Sequence, residues 1–324
     1  MEDDKMKITV LDVGTLGEDL SLEPLKEIGE CDIYKTTPPE KVADRIYDCD
    51  IVILNKVRLN ETNLKFAKNL KLICVTATGF DNIDIEYCSV NNIAVCNVAD
   101  YSSNSVAQLT ASTVLALSVK LFEYTEFVRN GGYTESGVAN RLTPVYHELS
   151  GLTWGVVGLG NIGKKVARIA DALGCRVIAC KNTPEDGYEC VDINTLCRES
   201  DIITIHTPLN ESTRNLINTE RIEMMKKSVI IVNSARGAVT DEAAITEAIK
   251  NNKIGAFGTD VYSVEPFSKD HPLYEIKDMP NVCLTPHMAW GAYEARVRCL
   301  NEIIKNIKAF FSGEIRNRVD KVDA

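Results

Sequence analysis

The sequence predicts an α/β protein of two doubly wound parallel-sheet domains, the second inserted into the first. Three observations carry that expectation. Short apolar, β-branched runs alternate with amphipathic segments along most of the 324 residues, the pattern of β-α units whose strands are buried on both faces. The alternation is interrupted once, by a long helical stretch beginning near Ser105, and then restarts. At the start of the second series a glycine turn, Gly158-Leu159-Gly160-Asn161-Ile162-Gly163, stands between an apolar strand and a helix.

In the first series the strand candidates are residues 8–13, 32–34, 51–55, 72–76 and 94–96, with helices between them such as 40–47 and 61–67. Ser105-Val106-Ala107-Gln108 reads as a capping box, in which the serine hydroxyl and the glutamine side chain satisfy free N–H groups reciprocally. From there the helix is expected to run to Arg129, where Gly131-Gly132 ends it. The second series offers strands at 154–157, 176–180, 202–206, 229–233, 255–260 and 282–285. A final helix, 292–311, places Leu300, Ile303, Ile304, Ile307 and Phe311 on one stripe. With no strand after it, this helix is expected to return to the first domain. The expected division is 1–101 plus 290–324 for one domain and 102–289 for the other.

Composition narrows the partners. A net charge of −10 without a basic run argues against nucleic acid. The longest apolar stretch, 106–119, is interrupted by Gln108, Thr110, Ser112, Thr113 and Ser118, so no membrane span is expected. Met1-Glu2-Asp3-Asp4-Lys5 lacks the apolar core of a secretory leader. Eleven scattered cysteines without a C-x-x-C pair read as reduced thiols in a cytoplasmic protein. The four histidines have no ligand spacing, so no metal is expected.

Strand, glycine turn and helix together form a dinucleotide-binding signature. Gly158 permits the tight turn, Gly160 lets the backbone approach a pyrophosphate, and Gly163 lets the helix pack closely on the strand. The helix N-terminus then offers N–H groups to the phosphates. An NAD site would place an acid at the end of the next strand, on the ribose hydroxyls. Lys181 stands there instead, followed by Asn182 and Thr183. A lysine with these neighbours suits a 2′-phosphate, so the cofactor is expected to be NAD(H) or NADP(H), leaning to NADP(H).

Reducing a 2-keto acid requires its carboxylate to be held, its keto oxygen polarised and a proton delivered. The planar fork of arginine suits the first two tasks and histidine the third. A carboxylate beside the histidine fixes its orientation. One candidate for each role follows a strand of the second series: Arg236, Glu265 and His287. Strand C-termini are where open α/β sheets bind ligands.

Over nearly its whole length the chain resembles the D-isomer-specific 2-hydroxyacid dehydrogenases. The resemblance rests on Thr78-Gly-Phe-Asp-Asn-Ile-Asp84, Ser105–Gln108, Gly158–Gly163, His206-Thr-Pro-Leu209, Asn233-Ser-Ala-Arg-Gly237, Asp260-Val-Tyr-Ser-Val-Glu-Pro266 and Thr285-Pro-His287. It implies a flavodoxin-like substrate domain with an inserted Rossmann domain. It implies Arg236 as substrate clamp, Glu265 as histidine partner and His287 as proton donor. Backbone groups around Ala77, Thr78 and Gly79 would meet the substrate carboxylate. Val106 would lie near the nicotinamide and Asp260 on its carboxamide. His206, Thr207, Pro208, Ser234 and Ala235 would be on the cofactor side, and the helix from Ser105 would be a homodimer element.

His287-Met-Ala-Trp290-Gly-Ala-Tyr-Glu294 is similar to the glycerate dehydrogenase (hydroxypyruvate reductase) branch, with Trp290 shaping the pocket. D-Lactate and other 2-hydroxy acids, and glyoxylate, are the alternatives. Formate dehydrogenases of this fold carry glutamine where Glu265 stands. A dinucleotide-sensing corepressor is the reading from another class.

Overall fold

The computed structural model describes residues 6–181, 183 and 185–320. The chain forms two compact units, Met1–Ser102 with Gly291–Ala324, and Ser103–Trp290.

The first unit holds five parallel strands: β1 (Lys7–Val10), β2 (Glu30–Ile33), β3 (Ile51–Leu54), β4 (Leu72–Val75) and β5 (Ala94–Cys96), in the order β2-β1-β3-β4-β5. This is the flavodoxin-like order. Strands β3, β4 and β5 are buried at every residue, which explains their unbroken apolar runs. The Tyr293–Phe311 helix packs against β4 and buries Cys299, Leu300, Ile303, Asn306 and Ile307. The expected stripe therefore needs one correction, since Phe311 is exposed and Asn306 takes the interior. The Asn306 amide donates to the Asn97 carbonyl at 2.9 Å and its oxygen accepts from Asn317 at 2.9 Å. A buried amide so satisfied costs little. The segment after this helix returns to the sheet edge, where Asp320 accepts from the Val95 N–H at 2.9 Å.

The second unit holds seven parallel strands: β6 (Thr153–Val157), β7 (Arg176–Cys180), β8 (Glu189–Cys190), β9 (Ile202–Ile205), β10 (Ile230–Asn233), β11 (Ala256–Thr259) and β12 (Val282–Leu284). Their order, β12-β11-β10-β9-β6-β7-β8, reverses direction between β6 and β9, as in the Rossmann fold. Alternate residues feed two cores, Ile203, Ile231 and Phe257 on one face and Ile202, Val232 and Ala256 on the other. The two-residue strand β8 is too short to carry a periodic signal and was not expected from sequence.

The expected helix from Ser105 to Arg129 is corrected in two ways. It begins at Ser103, and the Ser105 hydroxyl donates to the Ala289 carbonyl instead of forming a capping box with Gln108. It also stops at Ser118. Lys120 takes a left-handed conformation (φ 57°), and a second helix, Leu121–Arg129, leaves at 66°. The break carries no glycine, so nothing in the sequence marked it. Gly131 (φ 82°) follows the second helix, as expected. Among the described residues no single helix is long and apolar enough to cross a membrane.

Candidate active site

At the C-terminal end of β6 the three glycines of the turn differ in what requires them. A Cβ on Gly158 (φ 92°) would stand 2.8 Å from the backbone of His206 and Thr207, which follow β9. A Cβ on Gly163 would stand 2.0 Å from the Gly158 carbonyl oxygen. Both are demanded by packing. Gly160 has an ordinary φ of −79°, and a Cβ there would meet no protein atom within 4 Å. A ligand approaching the backbone from outside explains that glycine. Gly160 is also the N-cap of the Asn161–Ala172 helix and makes no side-chain cap, so the N–H groups of Asn161, Ile162 and Gly163 lack helix partners. The residues present thus fit an anionic dinucleotide.

On one side of this turn, after β7, Lys181 is not a bare cation. Its ammonium pairs with one Glu185 oxygen while Lys164, in the glycine-turn helix, pairs with the other. The hydrogen bonds from Lys164 and then Lys181 hold the Glu185 carboxyl below the usual range. Thr183 is exposed beside them, and Asn182 lies outside the described residues.

On the other side, Thr207 is half-buried and Pro208 exposed. His206 has a buried Nε2, and burial pushes its pKa down to about 3, so the ring is neutral. Its Nδ1 lies 3.3 Å from the Ser234 hydroxyl, which lies 2.8 Å from the Thr110 hydroxyl. Thr110 in turn donates to the Val106 carbonyl at 2.8 Å, and Val106 is itself buried. One chain of hydrogen bonds thereby joins the Ser103–Ser118 helix to the loops after β9 and β10.

The three polar candidates follow β10, β11 and β12, which are neighbours in the sheet. The fully buried Asn233 side chain shapes the first loop. It accepts from the Ala235 N–H at 3.0 Å and donates to the Arg236 carbonyl at 2.9 Å. Glu265 accepts from the Tyr262 N–H at 3.1 Å with one oxygen. Its other oxygen lies 2.6 Å from His287 Nδ1. Both side chains are partly exposed, 30% and 25%, which leaves the pair open to a reactant.

His287 has a φ of 52°, rare for a residue with a side chain. Such strain costs about 1–3 kcal/mol. Several bonds offset it, each contributing about 0.5–3 kcal/mol depending on charge. Asp260, 3% exposed, accepts from the Thr285 hydroxyl (2.6 Å), the Met288 N–H (2.9 Å) and the Ala289 N–H (2.8 Å). The Trp290 indole donates to the His287 carbonyl at 3.0 Å. The structure thus gives Asp260 and Trp290 a part in fixing the His287 backbone. The Tyr262 phenol, between these loops, donates to the Thr285 carbonyl at 2.8 Å. Its pKa is raised by burial and then by the charges of Asp260, Glu265, Cys283 and Glu242.

In the first unit, Ala77, Thr78 and Gly79 follow β4. The Thr78 hydroxyl donates to the Val98 carbonyl at 2.9 Å, and the Asn97 amide donates to the Thr78 carbonyl at 2.7 Å.

Sequence reasoning missed Glu185, Asn233, Glu242, Ser263 and His271. Asn233 lies in a quoted motif, and its place at a strand end was its only signal. His271 is 9% exposed and bonded to Glu242 at 3.0 Å. Among the described residues no cluster fit for a metal ion is found.

The family described as D-isomer specific 2-hydroxyacid dehydrogenase, NAD binding domain, matches residues 111–289, more than half of the chain. A glycerate dehydrogenase of Methylorubrum extorquens is 36% identical over 288 residues, 89% of this chain and 91% of the relative. A structure of D-lactate dehydrogenase from Aquifex aeolicus with NAD and lactic acid has a TM-score of 0.84 at 28% identity. It covers 98% of this chain and 100% of its own. An acyclic imino acid reductase in complex with NADPH and D-Arg has a TM-score of 0.85 at 29% identity, covering 97% and 100%. The chain belongs to the D-isomer specific 2-hydroxyacid dehydrogenase family, and it is an oxidoreductase that uses a nicotinamide dinucleotide.

Proposed function

We propose that this enzyme interconverts hydroxypyruvate and D-glycerate at C2. The observation that carries the reading is the 2.6 Å bond between His287 and Glu265 on loops beside the one that carries Arg236. When bound, the nicotinamide supplies or accepts the hydride at C2. The chain's own groups do the rest. With Nδ1 tied to Glu265, His287 holds the proton for the keto oxygen at Nε2. Arg236 engages the carboxylate and the keto oxygen through its fork. Trp290 limits the group carried on C3. The glycerate dehydrogenase relative supports this substrate over D-lactate, glyoxylate and other 2-keto acids.

The finer cofactor reading is NADP(H). Lys181 and Lys164 put two positive charges at the edge where a 2′-phosphate would lie, and Glu185 pairs with both in the free chain. A 2′-phosphate must displace that carboxylate.

The second copy in a homodimer would cover the apolar surface around the bent helix pair. Leu115, Leu121, Phe122, Val128, Val145 and Tyr146 are exposed there, and the Leu121–Arg129 helix buries no residue. Equilibrium sedimentation of Phe122→Glu against the parent tests this, and a parent that is already a monomer contradicts it. The cysteines are free and seven of the eleven are buried, which suits a reducing cytoplasm.

A panel of 2-keto acids against NADH and NADPH tests the function. The reading expects hydroxypyruvate turnover above about 1 s⁻¹, an ordinary enzyme rate, with the highest kcat/KM of the panel. Another acid giving a higher kcat/KM displaces the substrate, and no turnover of any acid contradicts the dehydrogenase reading.

A further inference from the structure

Glu242 opens the Glu242–Lys250 helix and is 8% exposed. A buried carboxylate is expensive unless donors meet it. Here three do. The Ser263 N–H donates to Oε1 at 2.9 Å, the Ser263 hydroxyl donates to Oε2, and His271 Nε2 lies 3.0 Å from Oε2. The tautomer follows from the other ring nitrogen. His271 Nδ1 accepts from the Leu273 N–H at 3.3 Å, so the ring proton sits on Nε2 and points at Glu242. Phe267, 5.1 Å away, and Tyr262 wall the imidazole in.

What this cluster grips is the peptide between Tyr262 and Ser263. Two other groups depend on the backbone around that peptide. One peptide earlier in the chain, the Tyr262 N–H donates to Glu265, the partner of His287. On the outer face of the Tyr262–Ser263 peptide rests Gly237, the residue after Arg236. A Cβ there would stand 2.0 Å from the Tyr262 carbonyl carbon and 2.2 Å from the Ser263 nitrogen. The loops of Arg236 and Glu265 therefore share one footing, and Glu242 holds it.

We propose that Glu242, through Ser263 and His271, is a positioning residue that sets Arg236 and Glu265 against each other for the reaction. This rests on the dehydrogenase reading above. A plain loop staple would contribute to folding alone. A positioning group also changes kcat in folded protein and the hydrogen bond at His287.

The experiment uses Glu242→Gln, which keeps the shape but presents an NH₂ to the His271 N–H, and Ser263→Ala, which removes only the hydroxyl. Each is compared with the parent by kcat, by the Kd for NAD⁺ from titration calorimetry, and by the downfield imidazole N–H proton resonance. That resonance is assigned to the His287–Glu265 bond by its loss in Glu265→Gln. The proposal expects kcat to fall about 10-fold or more, because small misplacements of reacting groups are costly. It expects Kd to stay within about twofold and the resonance to move or broaden. An unmoved resonance in both variants overturns the proposal, whatever kcat does, and so does a kcat unchanged while only the Tm falls. Should Glu242→Gln fail to fold, Ser263→Ala alone decides. A parent without turnover sinks the dehydrogenase reading, whereas the resonance still reads the positioning claim.

Discussion

The two sides of the seven-stranded sheet solve the same problem differently. At β6 and β7 the loops are shaped by what is missing. Gly158 and Gly163 have no room for a side chain and Gly160 has no protein reason to lack one. At β10, β11 and β12 the loops are shaped by what is buried. Asn233, Asp260 and Glu242 sit at or below 8% exposure and spend their hydrogen bonds on the backbone that carries Arg236, Glu265 and His287. Phosphates can be met by backbone N–H groups, which any residue but proline supplies. Proton transfer needs particular side chains at fixed distances, and these need holders of their own.

The comparison can be broken on either side. The largest effect is expected from Arg236→Lys. An ammonium cannot form the two-point contact, so kcat/KM should fall about 10³-fold, with kcat and KM both worse. A rise in KM alone would make Arg236 a binding group only. On the other side, Gly160→Ala should leave Tm within about 2 °C of the parent, since nothing in the protein meets the new methyl. It should weaken NAD⁺ binding about 10-fold or more by keeping the pyrophosphate off the backbone. Calorimetry showing an unchanged Kd would remove the ligand explanation for Gly160. A smaller change is expected from Glu185→Gln. Freeing Lys164 and Lys181 should raise the NADPH to NADH ratio of kcat/KM by about 10-fold, the worth of one added charge contact. An unchanged ratio would take Glu185 out of cofactor choice.

The smallest effect concerns stability. His206 is neutral in the fold, with its pKa pushed by burial from 6.5 to about 3. The unfolded chain binds a proton there below pH 6.5 while the folded chain does not. This part of the stability is therefore present above pH 6.5 and is lost as pH falls towards 3. Urea midpoints should fall with pH across that window more steeply in the parent than in His206→Leu. Parallel pH profiles would contradict the assignment.

The same contrast explains what the sequence revealed. Strands β3, β4, β6 and β9 were legible because they are buried on both faces, and the glycine turn because its requirements are contiguous. The break at Lys120 was not, because a left-handed lysine carries no local mark. Ser105 resembled a cap, and only the fold put the Ala289 carbonyl against its hydroxyl. The pairing of Glu185 with Lys164, and of Glu242 with His271 and Ser263, joins residues by chain reversals that no spacing rule describes. Arg236, Glu265 and His287 were found as residue types at strand ends, whereas the groups that hold them were found only in three dimensions.

The central claim is that His287, held by Glu265, delivers the proton to a 2-keto acid in this dinucleotide-binding chain. A single-turnover comparison of the parent and His287→Ala, each saturated with reduced cofactor before hydroxypyruvate is added, tests it most directly. The account predicts that the rate of cofactor oxidation falls about 10²–10⁴-fold while cofactor affinity stays within about threefold. A variant that oxidises its cofactor as fast as the parent would contradict it.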